Sequence, residues 1–278
     1  MVDWDDYDGD GDSDFAVYDP SSGEWDIRGV TTGLVWGGDP GDIPAPGDYD
    51  GDGTADLGYF DRFSGEWNIA RISGEVITAG VIWGAWGDVP VPGDYEGDGT
   101  TDLATWRNAD GKWRIRGVTS VWYGRRETMI PVPGDYDGDG TCDIAILDID
   151  PAKRTWYVRG VRNRAFWIDG STAFPMDYNG DGTTELGFYR SSTGWWRMRQ
   201  LSGPAVYSRI WGVPQWNGIP FILDFNGDGA ADLGSFRPHK GAAGRWLIRE
   251  TNAPTGTWET VDWSALSTDS IVVGATSY

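Results

Sequence analysis

Six acidic loops of nine residues are the part of this sequence best suited to chemistry. The clearest copy runs from Asp48 to Asp56, with acids at positions 1, 3, 5 and 9 and glycine at positions 4 and 6. A hard cation such as Ca²⁺ takes about six to eight oxygen ligands from carboxylates, carbonyls and water. Acids on alternate residues, with glycines that permit a sharp turn, place such oxygens around one ion. The pattern therefore predicts one cation site per loop.

The predicted ligands are the four acidic or amide side chains of each loop and the carbonyl oxygen of position 7. In chain order these residues are Asp6, Asp8, Asp10, Asp12 and Asp14; Asp48, Asp50, Asp52, Thr54 and Asp56; Asp94, Glu96, Asp98, Thr100 and Asp102; Asp135, Asp137, Asp139, Thr141 and Asp143; Asp177, Asn179, Asp181, Thr183 and Glu185; Asp224, Asn226, Asp228, Ala230 and Asp232. The last two loops carry asparagine at position 3, which keeps an oxygen but loses a charge, so we expect weaker binding there. The cofactor predicted is Ca²⁺, with up to six ions per chain.

Two other interpretations of the loop fit less well. An ordinary Asp-Gly turn between strands explains a single copy, but not six copies with the same oxygen positions. An EF-hand opens with a similar pattern but needs a bidentate Glu at position 12, between two helices. Position 12 is occupied by Val17, Tyr59, Thr105, Ile146, Phe188 and Ser235. Strand-forming residues follow each loop, which favours a β-hairpin.

Composition narrows the classes of function. The net charge of −21 argues against a nucleic-acid partner, whose phosphates the chain would repel. The 18 Trp and 42 Gly indicate a folded protein with many tight turns rather than a disordered acidic chain. No apolar run predicts a membrane span, and no signal-peptide pattern follows Met1. Because loops of this type suit millimolar Ca²⁺, we expect an extracellular or cell-surface location.

The loops recur at the spacing of propeller blades, with starts 42, 46, 41, 42 and 47 residues apart. Each unit has one strand before the loop and three strands after it, and the strand before the loop contains proline in every unit except the first, where residues 1–5 match the pattern poorly. The sequence thus predicts an all-β fold, a single β-propeller domain over residues 1–278 made of six four-stranded antiparallel blades. The blades are expected at about 1–41, 42–87, 88–129, 130–171, 172–217 and 218–269. A last strand at 270–278 is expected to close the ring by pairing with the first or the last blade. A seven-bladed form with a truncated seventh blade is the alternative.

Repeated aromatic residues divide into two groups. The third strand of each unit carries Trp-x-[Ile/Val/Met]-Arg, and we expect its tryptophan to pack between blades and its arginine to pair with a carboxylate or stack on a neighbouring tryptophan. In the second unit this arginine, Arg71, comes one residue later. The fourth strand usually ends in an aromatic residue and glycine, which suits either core packing or shallow aromatic pockets. The candidate ligand-binding residues of this second group are Trp36, Trp83, Trp122, Trp167, Trp211 and Trp263.

The repeat [Ile/Val]-Pro-Val-Pro-Gly-Asp-Tyr-Asp-Gly-Asp-Gly-Thr-x-Asp-[Leu/Ile]-Ala resembles the FG-GAP/VCBS repeat of integrin α-like, calcium-binding β-propellers. It covers nearly the whole chain. The resemblance implies blades whose first hairpin holds Ca²⁺ at one rim. It also implies relatives among integrin α propellers, propeller lectins and non-catalytic modules of secreted polysaccharide-degrading enzymes. Most such propellers have seven blades, whereas this chain has six full units, and a fold by itself does not fix a function.

The sequence favours a secreted or surface calcium-stabilised recognition module, with lectin-like carbohydrate binding or adhesion to a cell-surface or matrix protein. The alternatives are a structural subunit of an extracellular assembly, self-associating through its terminal strand, and a non-catalytic module of a polysaccharide-degrading enzyme. We expect no enzyme activity. One histidine (His239) and one cysteine (Cys142) cannot build a histidine-based triad or a His-rich metal site. Outside the loops, no carboxylate pair stands out for glycoside hydrolysis.

Overall fold

The computed structural model describes residues 5–161, 164–165, 172–201, 203, 205–211, 219–237, 244–251, 258–263 and 271–273. Within these ranges the regular secondary structure is entirely β-strand, in six four-stranded antiparallel sheets. The predicted all-β, six-bladed propeller is confirmed. Across the same ranges, no helix is long and apolar enough to cross a membrane. Contacts divide the chain into two compact units, Met1–Glu127 with Ala265–Gly274 and Thr128–Ser264 with Ala275–Tyr278.

The first unit contains three blades whose strands follow one another in the chain, apart from one strand from the C-terminal end. Blade 1 consists of β1 (Ala16–Asp19), β2 (Glu24–Ile27), β3 (Thr31–Val35) and β24 (Ile271–Val273); blade 2 of β4 (Asp42–Pro44), β5 (Leu57–Asp61), β6 (Glu66–Ala70) and β7 (Val76–Ile82); blade 3 of β8 (Asp88–Pro90), β9 (Ala104–Arg107), β10 (Lys112–Ile115) and β11 (Thr119–Trp122).

The second unit contains three blades in which all four strands are consecutive. Blade 4 consists of β12 (Met129–Pro131), β13 (Ala145–Asp148), β14 (Thr155–Val158) and β15 (Arg164–Ala165); blade 5 of β16 (Thr172–Ala173), β17 (Leu186–Arg190), β18 (Trp195–Arg199) and β19 (Ala205–Ile210); blade 6 of β20 (Ile219–Leu223), β21 (Asp232–Arg237), β22 (Gly244–Arg249) and β23 (Trp258–Trp263).

The C-terminal strand completes the first blade. β24 runs antiparallel to β1, with Ile271 opposite Tyr18 and Val272 opposite Val17. It holds in blade 1 the position that the strand before the acidic loop holds in every other blade. The predicted closing strand is therefore confirmed, and of the two expected partners it pairs with the first blade.

The third-strand tryptophans form the centre of the core, as the sequence predicted. All six are almost completely buried: Trp25, Trp67, Trp113, Trp156, Trp196 and Trp246. They pack across blade boundaries, since the cluster around Trp67 in blade 2 includes Leu103, which lies just before β9 of blade 3. The indole N–H of Trp67 donates to the carbonyl of Trp83 at 3.0 Å, so the one polar group of this buried side chain has a hydrogen-bond partner.

Candidate functional site

The acidic loops lie at one end of the blades and share one folding pattern. In the second loop, one carboxylate oxygen of Asp48 accepts the N–H of Gly51 at 2.7 Å and the other accepts the N–H of Gly53 at 3.0 Å. Both glycines have positive φ (+76° and +89°), a conformation that other residues rarely adopt. The same pair of bonds is made by Asp6, Asp94, Asp135 and Asp177. The position-1 aspartate therefore stabilises the turn. In the second loop this turn lies between two β-strands, β4 and β5, and not between helices as in an EF-hand.

The acid at position 9 is buried and strongly perturbed. In the second loop, Asp56 is 1% exposed and accepts the N–H of Tyr49 at 2.9 Å. Its other oxygen, Oδ1, has no hydrogen-bond partner in the described part of the chain. The pKa of Asp56 is raised to about 7, mainly by burial and also by the neighbouring acids of the loop, against the lowering effect of the Tyr49 N–H. Burial likewise raises the pKa to about 6 or about 7 at Asp14, Asp102, Asp143, Glu185 and Asp232.

Four of the six loops bring three carboxylates together. In each, one oxygen per acid lies within 4.8 Å of the others: Asp6, Asp8 and Asp10; Asp48, Asp50 and Asp56; Asp135, Asp137 and Asp143; Asp177, Asp181 and Glu185. The third and sixth loops, both fully described, form no such triplet. A buried carboxylate oxygen without a partner is unfavourable unless a cation or donor reaches it. The donor set and the orphaned oxygen of Asp56 thus fit a hard cation such as Ca²⁺.

The residue at position 7 has a second role that the sequence analysis missed. The hydroxyl and the N–H of Thr54 both donate to one oxygen of Asp52, at 2.6 and 3.0 Å. The hydroxyl is the main cause that lowers the pKa of Asp52. Thr100, Thr141 and Thr183 make the same two bonds. In these four loops the pKa of the position-5 acid is lowered, so its ionised form is favoured.

Consecutive loops within each unit are joined through their backbones. The N–H of Ala55 in the second loop donates to the carbonyl of Asp6 in the first, at 2.7 Å. Three further bonds repeat this link: Thr101 to Asp48, Thr184 to Asp135 and Ala231 to Asp177. Because each bond joins position 1 of one loop to position 8 of the next, the end of one blade is fixed relative to its neighbour.

In blade 2 the repeated arginine, which comes one residue later than in the other blades, contacts the acidic loop of its own blade. The Arg71 guanidinium lies 2.5 Å from Asp50 and 3.1 Å from Asp52. This pairing with carboxylates is one of the two roles predicted for the repeated arginine. Arg28 of the first blade instead stacks on a phenylalanine rather than a tryptophan, with its guanidinium carbon 5.4 Å from the Phe15 ring centroid.

The candidate ligand-binding tryptophans occupy different environments. Trp36 and Trp83 are half-buried, and their indole N–H groups donate to backbone carbonyls of the next blade, at 3.4 and 3.3 Å. Trp211 and Trp263 are also half-buried, the first against an apolar cluster and the second 6.0 Å from the Trp246 ring. Trp167 lies outside the described residues, as does His239. Trp122, in contrast, is 69% exposed.

Two further exposed aromatic rings lie at the blade ends opposite the acidic loops. Trp86, 77% exposed, lies between β7 and β8, and Phe63, 49% exposed, lies in the turn between β5 and β6. These two segments meet, because the N–H of Gly87 donates to the carbonyl of Arg62 at 3.4 Å. Sequence reasoning missed both rings, since they lie in turns and do not recur from blade to blade. The feature of the sequence that could have identified them is an aromatic residue in a turn, where no strand face buries it.

No protein-family profile matches the chain, and no curated protein matches its sequence. Solved structures do match its fold. One is an Agrocybe aegerita lectin, described for its specific recognition of non-reducing terminal N-acetylglucosamine, with 15% identity over 94% of this chain and 85% of that one and a TM-score of 0.58. Another is BBS1N in complex with ARL6DN, with 10% identity over 90% of this chain and 81% of that one and a TM-score of 0.53. At these identities the similarity establishes the β-propeller class.

Proposed function

We propose that this protein is a secreted or cell-surface, calcium-stabilised recognition module that binds carbohydrate in the manner of a lectin, without catalysis. The observation that carries the proposal is the set of exposed aromatic rings, Trp86, Trp122 and Phe63, in blades 2 and 3 and the segment between them. Exposed apolar side chains on adjoining segments, such as Phe63 and Trp86, are typical of a binding site. The flat ring of a tryptophan can stack on the C–H face of a sugar while its N–H remains available for a hydrogen bond.

The acidic loops supply the stabilising part of the proposal. We infer that each loop is a Ca²⁺ site, as the resemblance to FG-GAP/VCBS repeats implies, whose ligands are the acidic or amide side chains at positions 1, 3, 5 and 9 and the carbonyl oxygen of position 7. The buried, partner-free oxygen of Asp56 supports this assignment. Bound Ca²⁺ neutralises acids that otherwise repel one another within one short loop. Because the loops lie at the blade ends away from Trp86 and Phe63, the cation supports the scaffold rather than contacting the ligand.

The structural neighbours support recognition as the general role. One neighbour is described as recognising a sugar and the other is in complex with a protein partner. The exposed rings favour carbohydrate over the structural alternative. The argument for self-association was an unpaired terminal strand, and it no longer applies because β24 already pairs with β1.

A glycan array probed with a multivalent form of the protein, in millimolar Ca²⁺, tests the proposal. Titrations of the best glycan then compare wild type with Trp86→Ala and Trp122→Ala. We expect at least one of the two variants to lose about tenfold in affinity, the cost of removing one good stacking contact. Ile82→Ala is the matched control, because it removes exposed apolar area (69% exposed) without an aromatic ring. No glycan bound, or an equal loss in the Ile82→Ala variant, would overturn the carbohydrate proposal.

A further inference from the structure

The end of blade 3 away from its acidic loop carries charges opposite to those of blades 1 and 2. At this end, residues directly opposite one another on adjacent strands form a row on one face of each sheet. The row of blade 3 consists of Asp88, Arg107, Lys112 and Trp122. The rows at the same register consist in blade 2 of Asp42, Asp61, Glu66 and Ile82, and in blade 1, over β1 to β3, of Asp19, Glu24 and Val35. Blade 3 therefore has two bases where these blades have two acids, and a tryptophan in place of an aliphatic side chain.

A buried carboxylate fixes two arginines on this face. Arg107 Nε lies 2.7 Å from Asp88 Oδ1, and Arg114 Nη1 lies 2.6 Å from Asp88 Oδ2. Arg114 lies two residues after Lys112 on β10, so both side chains are on the same face of the sheet. Asp110 lies 4.0 Å from Arg107. Three cations and two carboxylates are therefore grouped here, and the excess of positive charge attracts anions that a chain with a net charge of −21 otherwise repels.

The third cation, Lys112, lies beside an exposed ring. Its ammonium is 5.2 Å from the centroid of the Trp122 ring, which is directly opposite on β11, and this distance is within the range of a cation–π interaction. In the described part of the chain, the ammonium forms no ion pair with a carboxylate. The Trp122 side chain is 69% exposed. A cation without a carboxylate partner and an accessible aromatic ring therefore lie side by side.

A second exposed ring lies next to this face. The N–H of Ala85 donates to Asp88 Oδ2 at 3.0 Å, so the segment between β7 and β8 lies against the carboxylate that holds the two arginines. The next residue in this segment, Trp86, is 77% exposed. Exposed aromatic side chains that adjoin one another and a charged group are typical of a recognition surface. The positively charged end of blade 3 therefore combines a cation with two accessible rings.

We propose that this face of blade 3, through Lys112 and Trp122, binds an anionic sugar residue, so that the ligand is an acidic polysaccharide with carboxylate or sulfate groups. This inference rests on the proposed carbohydrate-binding function and names its substrate class. The Lys112 ammonium donates to the anionic group in a charge-assisted hydrogen bond, and the Trp122 ring packs against the C–H face of the sugar. The arginines stay bound to Asp88 and add to the positive potential. The acids at the same register of blades 1 and 2 repel such a ligand, which directs it to blade 3.

Titration calorimetry on the full chain in millimolar Ca²⁺ tests the proposal with two charged probes and their uncharged forms. The probes are an oligoglucuronate with its methyl ester, and a sulfated glucan oligosaccharide with its unsulfated form. We expect at least one charged probe to bind about tenfold or more tightly than its uncharged form, because the ester or the unsulfated sugar cannot form the charge-assisted bond. The probe that does so identifies the anionic group.

Variants with matched controls locate the binding. Lys112→Gln and Trp122→Ala are each expected to lose about tenfold in affinity, whereas Lys112→Arg keeps the charge and most of the affinity. Arg116→Gln is the control for charge, because Arg116 lies at the acidic-loop end of the same blade, where its N–H donates to the carbonyl of Leu103 at 3.0 Å. Ile82→Ala is the control for the ring, because Ile82 holds the corresponding position of blade 2. Both controls are expected to lose less than about twofold, since a distant exposed charge is largely screened.

Three results would overturn the inference: no binding of either charged probe, uncharged forms that bind as tightly as the charged ones, or an equal loss in the Arg116→Gln variant. Comparable binding of a polyglutamate peptide would also overturn it, in favour of an acidic protein partner. Failure of this inference is distinguishable from failure of the general carbohydrate proposal, because the uncharged probes are neutral glycans titrated into the same protein. Neutral glycans bound with a loss in Trp122→Ala but none in Lys112→Gln would contradict the anionic site alone.

Discussion

Replacing Asp56 by asparagine is predicted to have opposite effects on stability with and without Ca²⁺. The buried carboxylate has a pKa raised from 3.8 to about 7, so above that pH the folded protein holds a charge it disfavours. Asparagine removes the charge, and its side-chain oxygen can still accept the N–H of Tyr49. The same substitution deletes one carboxylate ligand from the proposed second cation site. The variant is thus expected to stabilise the metal-free protein and to destabilise the Ca²⁺-bound one.

The magnitude follows from the pKa shift. About three pKa units at about 1.4 kcal/mol each give an upper limit of about 4 kcal/mol for the cost of the ionised Asp56. Solvent screening in a surface loop and proton sharing with the neighbouring acids reduce this value, so we expect about 1–2 kcal/mol. For a chain of this size that is an increase of roughly 2–8 °C in Tm at pH 8 in a chelator. In Ca²⁺ the variant loses the second site, which is worth about 2.7 kcal/mol at a hundredfold excess over Kd.

Thermal melts at pH 8, in chelator and in millimolar Ca²⁺, measure both effects. Asp110→Asn is the matched control, because Asp110 lies outside the acidic loops and its substitution changes the charge by the same amount. Its melting temperature is expected to respond to Ca²⁺ as wild type does. An Asp56→Asn variant that is destabilised by the same amount in chelator and in Ca²⁺ would refute the reasoning, since the carboxylate would then be a structural hydrogen-bonding group with no link to a cation.

Three further predictions concern the core, a buried ion pair and pH. Trp67→Ala is expected to lower the free energy of unfolding by about 3–5 kcal/mol in urea denaturation, because the ring is completely buried; a loss below about 1 kcal/mol would contradict the assigned core. Asp88→Ala leaves two guanidinium groups, Arg107 and Arg114, without their carboxylate, and is expected to cost roughly 2–3 kcal/mol by the same measurement; a neutral effect would mean that solvent replaces the pair. Metal-free protein is expected to lose stability as pH rises from about 4 to about 7, because the position-9 acids hold their protons more tightly when folded; melting temperatures in chelator that rise over this range would contradict it.

The local features of the fold could be predicted from the sequence. Alternation along the third strand places Trp67 and Ile69 on one face, and both are buried. The acidic loop specifies its own turn, since its aspartate and glycines bond to one another within nine residues. Both features repeat in every blade, so the assignment of a strand or loop in one blade can be checked against the same pattern in the others.

Features that depend on contacts between distant segments could not be predicted. The partner of β24 depends on where the two ends of the chain meet. The exposure of Trp122 is an exception, because the sequence itself shows the cause: Tyr123, not Trp122, takes the place before the glycine that Trp36 and Trp83 take in their blades. The convergence of two arginines on Asp88 joins three strands of one sheet, which no local pattern encodes.

Calorimetric titration of Ca²⁺ into metal-free protein, with thermal melts before and after chelation, tests the proposed calcium-stabilised scaffold most directly. We predict about six ions per chain, one per acidic loop, with the weakest binding at the two loops that carry asparagine. Chelation is predicted to lower the melting temperature by several degrees. Little or no bound calcium together with an unchanged melting temperature would show that the acidic loops are hydrogen-bonded turns, and would contradict both the cation sites and the extracellular location inferred from them.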